Sequence, residues 1–201
     1  GANNTAIGMQ ALQANTTASE NTAVGYQAGY ANTTGAQLTA LGSNALDANT
    51  TGTLNTGLGW RALTANTTAS SNTAIGAGAM EVNTTGSYNI AVGEAALKFN
   101  TTANYNTATG YQALKANTTG TSNDAHGANT LVQNTTGNYN AGFGNGAFNA
   151  NTTGSSNTAL GYFALLSNTT AANNTAVGYQ ALVANTTGTQ NTAMGQNALD
   201  A

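Results

Sequence analysis

Cysteine and proline are absent from this chain of 201 residues, and charged side chains make up only 4% of it. Without cysteine, neither a disulfide framework nor a thiolate metal site can form. Three Lys and Arg residues are too few to form the basic surface that binds nucleic acid. No apolar run approaches the roughly 18 residues of a membrane span, so we expect none in this segment. The first residues also lack the basic and apolar regions of a secretory signal.

Catalytic groups are scarce as well, because the chain has one His, no Cys and six scattered Asp and Glu residues. A catalytic triad or a metal site with three protein ligands needs such groups to be clustered. Aspartates do not recur at turn positions, which argues against a repeated calcium site. We therefore predict no enzyme activity, no catalytic or metal-binding residues and no cofactor.

What the chain does contain is a repeat of 17 residues. The tripeptide Asn-Thr-Thr recurs at a constant spacing of 17, without insertion or deletion, at Asn15, Asn32, Asn49, Asn66, Asn83, Asn100, Asn117, Asn134, Asn151, Asn168 and Asn185. This register excludes a disordered linker, because it requires each unit to stack on the last. We number the repeat positions 1 to 17, starting at Asn4, and treat residues 1–201 as a single repeat domain. Its units are 4–20, 21–37, 38–54, 55–71, 72–88, 89–105, 106–122, 123–139, 140–156, 157–173, 174–190 and a partial unit 191–201.

Two turn signals divide each unit. Position 5 is Gly in all twelve copies, from Gly8 to Gly195, and Asn-Thr-Thr is followed by Gly in seven of eleven copies. Gly and Asn tolerate the positive φ of a turn. The stretches between the turns have the length of short strands, whereas Asn, Thr and Gly are poor helix formers. The sequence therefore predicts an all-β fold, a parallel β-solenoid or β-roll of about twelve 17-residue coils, with two strands in each coil.

Strand alternation predicts which side chains face inward. Position 4 is apolar in ten of twelve copies and position 9 is Leu in nine, so we predict two apolar stacks there, inside the coil. Positions 3 and 8 carry Ala in nearly every copy and are predicted to point outward. Small residues at an outward position predict close packing, most simply against another copy of the chain. Asn at positions 1 and 12 is predicted to form hydrogen-bonded ladders, with Leu38 the one break in the position 1 column.

The units also resemble a known family. The motif Asn-Thr-Ala-Val-Gly-Tyr-Gln-Ala-Leu is complete at Asn174–Leu182 and has Gly in the last place at Asn21–Gly29. It is similar to the head repeat of trimeric autotransporter adhesins, which also occurs in phage tail-fibre proteins, and the similarity covers all twelve units. The resemblance implies left-handed parallel β-rolls, three chains around one axis, and adhesion or host recognition at a cell surface or virion. The chain departs from the family in having Asn-Thr where Ser-Val is usual, and in its additional Asn-Thr-Thr-Gly segment.

The unit 123–139 is the most deviant. Asp124 and His126 occupy its positions 2 and 4, which are predicted to face inward, and Thr109 occupies position 4 of the preceding unit. We predict a buried polar site at His126, Asp124 and Thr109. It would be either a mutually satisfied polar plug or, repeated around a trimer axis, a site for an ion or a water cluster.

Aromatic side chains recur at position 6, in Tyr26, Trp60, Tyr111, Tyr162 and Tyr179. Exposed rings are platforms for sugars, so these residues are candidate glycan contacts; the alternative is ring packing along the edge of the coil. The Asn-Thr-Thr segments also match the N-glycosylation rule, although turn formation and ladder hydrogen bonds require the same residues.

These observations predict a structural or adhesive segment of an extracellular fibre or a phage tail fibre, acting in surface attachment. Its expected partner is itself, as a homotrimer and in end-to-end contacts along a longer fibre, with a surface glycan or receptor as a further candidate. The alternative is a ligand-binding β-solenoid that recognises glycan or ice. A flat surface of aligned Thr would favour ice binding, and an Ala-lined contact between chains would favour the fibre.

Overall fold

The computed structural model describes residues 1–200, which form one β-solenoid. Each coil contributes one strand of three residues at positions 2 to 4. The twelve strands are β1 (Thr5–Ile7), β2 (Thr22–Val24), β3 (Thr39–Leu41), β4 (Thr56–Leu58), β5 (Thr73–Ile75), β6 (Ile90–Val92), β7 (Thr107–Thr109), β8 (Asp124–His126), β9 (Ala141–Phe143), β10 (Thr158–Leu160), β11 (Thr175–Val177) and β12 (Thr192–Met194).

All twelve strands form one parallel sheet in sequence order. Every strand residue pairs with the residue 17 positions later, as Ala91 pairs with Ala108 between β6 and β7. Each repeat unit is therefore one coil, and each coil lies on the next in exact register of the sequence. This arrangement confirms the predicted all-β parallel solenoid of 17-residue coils.

The prediction of a second strand in each coil is wrong. Positions 6 to 10 form a turn, in which the residues at positions 7 and 9 adopt left-handed backbone conformations, as Ala95 (φ 55°) and Leu97 (φ 49°) do. Left-handed residues at alternate positions curl the chain back on itself instead of extending it. The turn is closed within the coil by a hydrogen bond from the Ala96 amide to the Gly93 carbonyl, at 3.3 Å.

The prediction of inward and outward faces is correct for position 9 and wrong for positions 3, 4 and 8. Leu97 at position 9 is fully buried, but so are Ala91 at position 3 and Ala96 at position 8. The apolar side chains at position 4, such as Val92, project outward from the sheet. The Ala columns therefore form the core of a single chain and cannot be the contact between chains.

The reason for this inversion is the narrow interior of the coil. At Gly57, a position 3 residue, an added Cβ would lie only 3.1 Å from the Ala62 carbonyl oxygen and 3.2 Å from the Leu46 side chain. A methyl group nearly fills this space, so a valine or leucine does not fit at position 3. At Gly142, the other glycine at position 3, an added Cβ would lie 2.8 Å from Cγ2 of Thr130, which replaces the usual Ala at position 8 of the preceding coil.

The predicted Asn ladders are present along the inside of the solenoid. At position 12, the Asn49 side-chain amide donates to Asn32 Oδ1 at 2.9 Å and to the Gly52 carbonyl at 3.0 Å. At position 1, Asn72 Oδ1 accepts from the backbone amide of Asn89 at 3.0 Å. These bonds satisfy buried polar groups that otherwise would destabilise so thin a core.

Leu38 shows what the position 1 column loses without Asn. Its backbone amide still donates to Asn21 Oδ1 at 2.9 Å, because that bond needs only a main-chain group. Leu38 itself is buried and has no side-chain oxygen to offer to the next coil. The ladder is therefore interrupted at one step and resumes at Asn55.

Candidate functional site

The outer surface of the parallel sheet is formed by the side chains at positions 2 and 4, and we call it the sheet face. Position 2 is Thr in nine of twelve coils, with Ile90, Asp124 and Ala141 as exceptions. Position 4 is exposed or half-exposed in every coil and is apolar in all coils except those of Thr109 and His126: Ile7, Val24, Leu41, Leu58, Ile75, Val92, Thr109, His126, Phe143, Leu160, Val177 and Met194. The molecule therefore presents a face with one column made mostly of hydroxyls beside one column made mostly of apolar groups.

The predicted buried polar site at His126, Asp124 and Thr109 is not buried. Asp124 is exposed, and His126 and Thr109 are half-exposed, because all three lie on the sheet face. The inward residue of β8 is Ala125, which has no exposed surface. The correction follows from the inverted faces: positions 2 and 4 do share one side of the strand, as alternation requires, but that side is the outer one.

His126 and Thr109 are nevertheless in contact. Thr109 Oγ1 lies 2.6 Å from Nδ1 of His126, and the His126 ring stacks on Phe143 with its centroid 4.8 Å away and its plane tilted by 12°. These two contacts hold the imidazole from both neighbouring strands. Within residues 1–200, no hydrogen bond or ion pair involves the Asp124 carboxylate or Nε2 of His126.

The five predicted aromatic contacts at position 6 are all exposed. Tyr162 and Tyr179 stack on each other, with ring centroids 5.6 Å apart and planes 7° from parallel. Trp60 has the Arg61 guanidinium 5.3 Å from its ring centroid. Tyr162 and Tyr179 therefore each cover one face of the other ring. Tyr26, Trp60 and Tyr111 have no aromatic residue at position 6 of the adjacent coils.

Six of the nine charged side chains lie at positions 7 and 10, away from the sheet face. Glu81 forms ion pairs with Arg61 at 2.7 Å and with Lys98 at 3.1 Å. Asp47 accepts a hydrogen bond from Asn44 at 3.2 Å, and burial raises the pKa of the Asp47 carboxyl above its ordinary value of 3.8. Among residues 1–200, no group of three or more His, Asp and Glu side chains is placed to hold a metal ion.

In the inner coils, the Asn side chain of the Asn-Thr-Thr corner is not accessible for N-glycosylation. Asn83 and its equivalents from Asn32 to Asn168 are completely buried. The Asn83 side-chain amide donates to Asn66 Oδ1 and to the Gly86 carbonyl. The nitrogen that would carry a glycan is thus enclosed and already bonded in the folded chain, so these residues serve the ladder.

A depression of about 340 Å³ lies at the C-terminal end of the solenoid, lined in part by Leu182, Asn185 and Leu199. Its lining contains amides, hydroxyls and apolar groups but no titratable side chain, so it offers no general acid or base. No helix among residues 1–200 meets the length and apolarity that crossing a membrane requires.

No protein-family model, curated protein or solved structure matches this chain. The similarity to adhesin head repeats therefore stays a prediction from the motifs. The geometry of the sheet face is what bears on function.

Proposed function

We propose that this chain is a structural and adhesive segment of an extracellular fibre or phage tail fibre, which assembles as a homotrimer through the sheet face. The observation that carries the proposal is the unbroken column of exposed position 4 side chains, which extends over all twelve coils. The proposed location is a cell surface or a virion, in agreement with the resemblance to adhesin head repeats.

The size of the sheet face supports self-association. At an interstrand spacing of about 4.8 Å, twelve strands extend over roughly 55 Å, and two columns of side chains give a face on the order of 600–700 Å². Exposed apolar patches larger than a few hundred Å² mark interaction sites, and a standard interface buries about 800 Å² on each partner. The face thus approaches one partner's share of a single interface, which in a trimer is divided between two neighbours.

The energetics support it as well. Within one chain, most coils bury only one large apolar side chain, at position 9; the coil 38–54 also buries Leu38, and the coil 21–37 has Gly29 at position 9. Burying the position 4 side chain too would contribute about 1.5–3 kcal/mol for each Val, Leu, Ile or Phe that becomes fully covered. Covering this column would therefore add to the stability of a thin solenoid in every coil whose position 4 is apolar.

Mass in solution tests the proposal. Light scattering or sedimentation should give three times the chain mass for the parent, and the double variant Leu58→Lys/Leu160→Lys should dissociate to monomers with unchanged circular dichroism. Leu54→Lys is the matched control, because Leu54 is 55% exposed, compared with 42% for Leu58, but lies at position 17, off the sheet face. A monomeric parent, or equal effects of Leu54→Lys and the double variant, would reject the proposal.

Ice binding is a second candidate, favoured by the aligned Thr residues at position 2 of the same face. No Ala-lined contact between chains is available, because the Ala columns are buried inside the coil. Against ice binding, the neighbouring position 4 column varies from Val to Phe, and Asp124 interrupts the Thr column. Thermal hysteresis in a monomeric parent, abolished by Thr73→Lys, would support ice binding over the fibre.

A further inference from the structure

We infer that Asp124 and His126 set the register in which copies of the chain associate through the sheet face, by pairing between copies at the unit 123–139. This inference rests on the proposed self-association and adds a specific alignment to it. The structural basis is the placement of both side chains on the sheet face, with the Asp124 carboxylate and Nε2 of His126 unpartnered within residues 1–200.

A repetitive face does not by itself fix the register in which two copies of the chain associate. Every coil presents nearly the same Thr and apolar pair, so a slip by one coil, about 4.8 Å, would exchange equivalent contacts at little cost. In columns 2 and 4, Asp124 and His126 are the two ionisable side chains. They are therefore the features that make one register different from all others.

A slipped register would be penalised by desolvation. Shifted by one coil, the Asp124 carboxylate of one copy would face Thr109 or Phe143 of the other instead of His126. The Thr109 hydroxyl is already bonded to His126 Nδ1, and Phe143 offers no hydrogen-bond donor. Covering an unpaired charge is costly, whereas a charge matched by a hydrogen-bond donor is tolerated. When the units 123–139 of parallel copies meet, as the proposed trimer requires, each copy supplies both a carboxylate and an imidazole, so each Asp124 can face the His126 of a neighbouring copy.

Contacts with the two neighbouring strands orient the His126 ring for the pairing between copies. When the Thr109 hydroxyl donates to Nδ1, the neutral ring carries its proton on Nε2, which is the donor that a carboxylate of another copy needs. Stacking on Phe143 fixes the plane of the ring. The other charged groups nearby do not compete: Glu94 is an acid at position 6, two coils away, and Lys115 lies at position 10, off the sheet face.

Cysteine cross-linking tests the register, since the chain has no native Cys. Leu58→Cys would be examined alone, mixed with Met194→Cys and mixed with Ile75→Cys. Alignment of parallel copies at the unit 123–139 predicts disulfides between two Leu58→Cys copies. Disulfides between Leu58→Cys and Met194→Cys would show antiparallel chains and would reject the trimer. The mixture with Ile75→Cys reports a slip by one coil, and its disulfide should be at least about tenfold less abundant.

The decisive variant is Asp124→Ala/His126→Leu in each cysteine background. We expect its assembly mass to be unchanged and the aligned and slipped disulfides to become comparable, within about threefold. The exchanged variant Asp124→His/His126→Asp should retain the aligned pattern, because it is again self-complementary. Thr158→Ala/Leu160→Val, which alters the same two positions in a regular coil, is the matched control.

The outcomes separate this inference from the proposed function. A parent that is monomeric rejects self-association itself. A parent that assembles with slipped disulfides as abundant as aligned ones, or whose aligned pattern persists in Asp124→Ala/His126→Leu, rejects the role of Asp124 and His126 and leaves self-association standing.

Discussion

Asn83 donates its side-chain amide to Asn66 Oδ1 at 3.0 Å, while its own Oδ1 accepts from the Asn100 amide at 2.8 Å. The same nitrogen also donates to the Gly86 carbonyl at 2.9 Å. One buried side chain therefore connects three successive coils and closes its own corner. This relationship explains why the tripeptide Asn-Thr-Thr does not vary in its first residue.

Asn83→Ala should lower the free energy of unfolding by about 2–4 kcal/mol, because it removes partners from the buried amides of Asn66 and Asn100. Thr85→Ala is the control: Thr85 is exposed at position 14, and its replacement should change stability by no more than about 0.5 kcal/mol. Denaturant unfolding followed by circular dichroism measures both. Equal stability of the two variants would show that the ladder contributes little.

Gly93→Ala should destabilise the chain by about 3 kcal/mol or more. Gly93 has a φ of 135°, and an added Cβ would lie 2.5 Å from the backbone oxygen of Gly110 in the next coil. Gly86→Ala should cost no more than about 1 kcal/mol, although its Cβ also approaches a backbone oxygen. The chain itself places Ala at that position in four coils, whereas position 5 is always Gly. Melting temperatures of the two variants check the difference, and a smaller loss for Gly93→Ala would contradict it.

Asp47→Asn should stabilise the fold at neutral pH and have no effect in strong acid. Burial raises the folded pKa of the Asp47 carboxyl above 3.8, so the native state loses stability as the pH rises from 3.8 to the folded value, and the full penalty is present above that value. Stability of the parent thus rises as the pH falls through that folded value towards 3.8. The gain for Asp47→Asn at pH 7 should stay below about 1 kcal/mol, because the carboxylate is only half-buried and retains the Asn44 hydrogen bond.

Unfolding of Asp47→Asn and the parent between pH 3 and pH 8 gives the measurement. Glu94→Gln serves as the control, since Glu94 is exposed. A gain for Asp47→Asn that grew as the pH fell would mean that Asp47 is stabilised as a carboxylate, the opposite of the expectation.

Much of the fold could be read from periodicity. Identical residues 17 positions apart can all make the same contacts and hydrogen bonds only if identical positions lie above one another. The parallel register and the Asn ladders therefore follow from the spacing alone. The same logic places Thr109, His126 and Phe143 in one column, where the structure has them in contact. The sequence by itself was sufficient to predict these features.

Which side of the strand faces inward was decided only by the tertiary structure. Alternation places the side chains of positions 2 and 4 on the same face of the strand, but it does not determine whether that face is buried. The usual burial of large apolar side chains predicts that the face with position 4 is buried, which is wrong here. The deciding factor is the width of the interior, which depends on the left-handed turn at positions 7 and 9. Residues as different as Ala95, Arg61 and Phe163 adopt the left-handed conformation at position 7, so the residue type at this position does not predict the turn. Because the turn leaves room for one leucine and two methyl groups per coil, the apolar column at position 4, together with Asp124 and His126, lies on the outside.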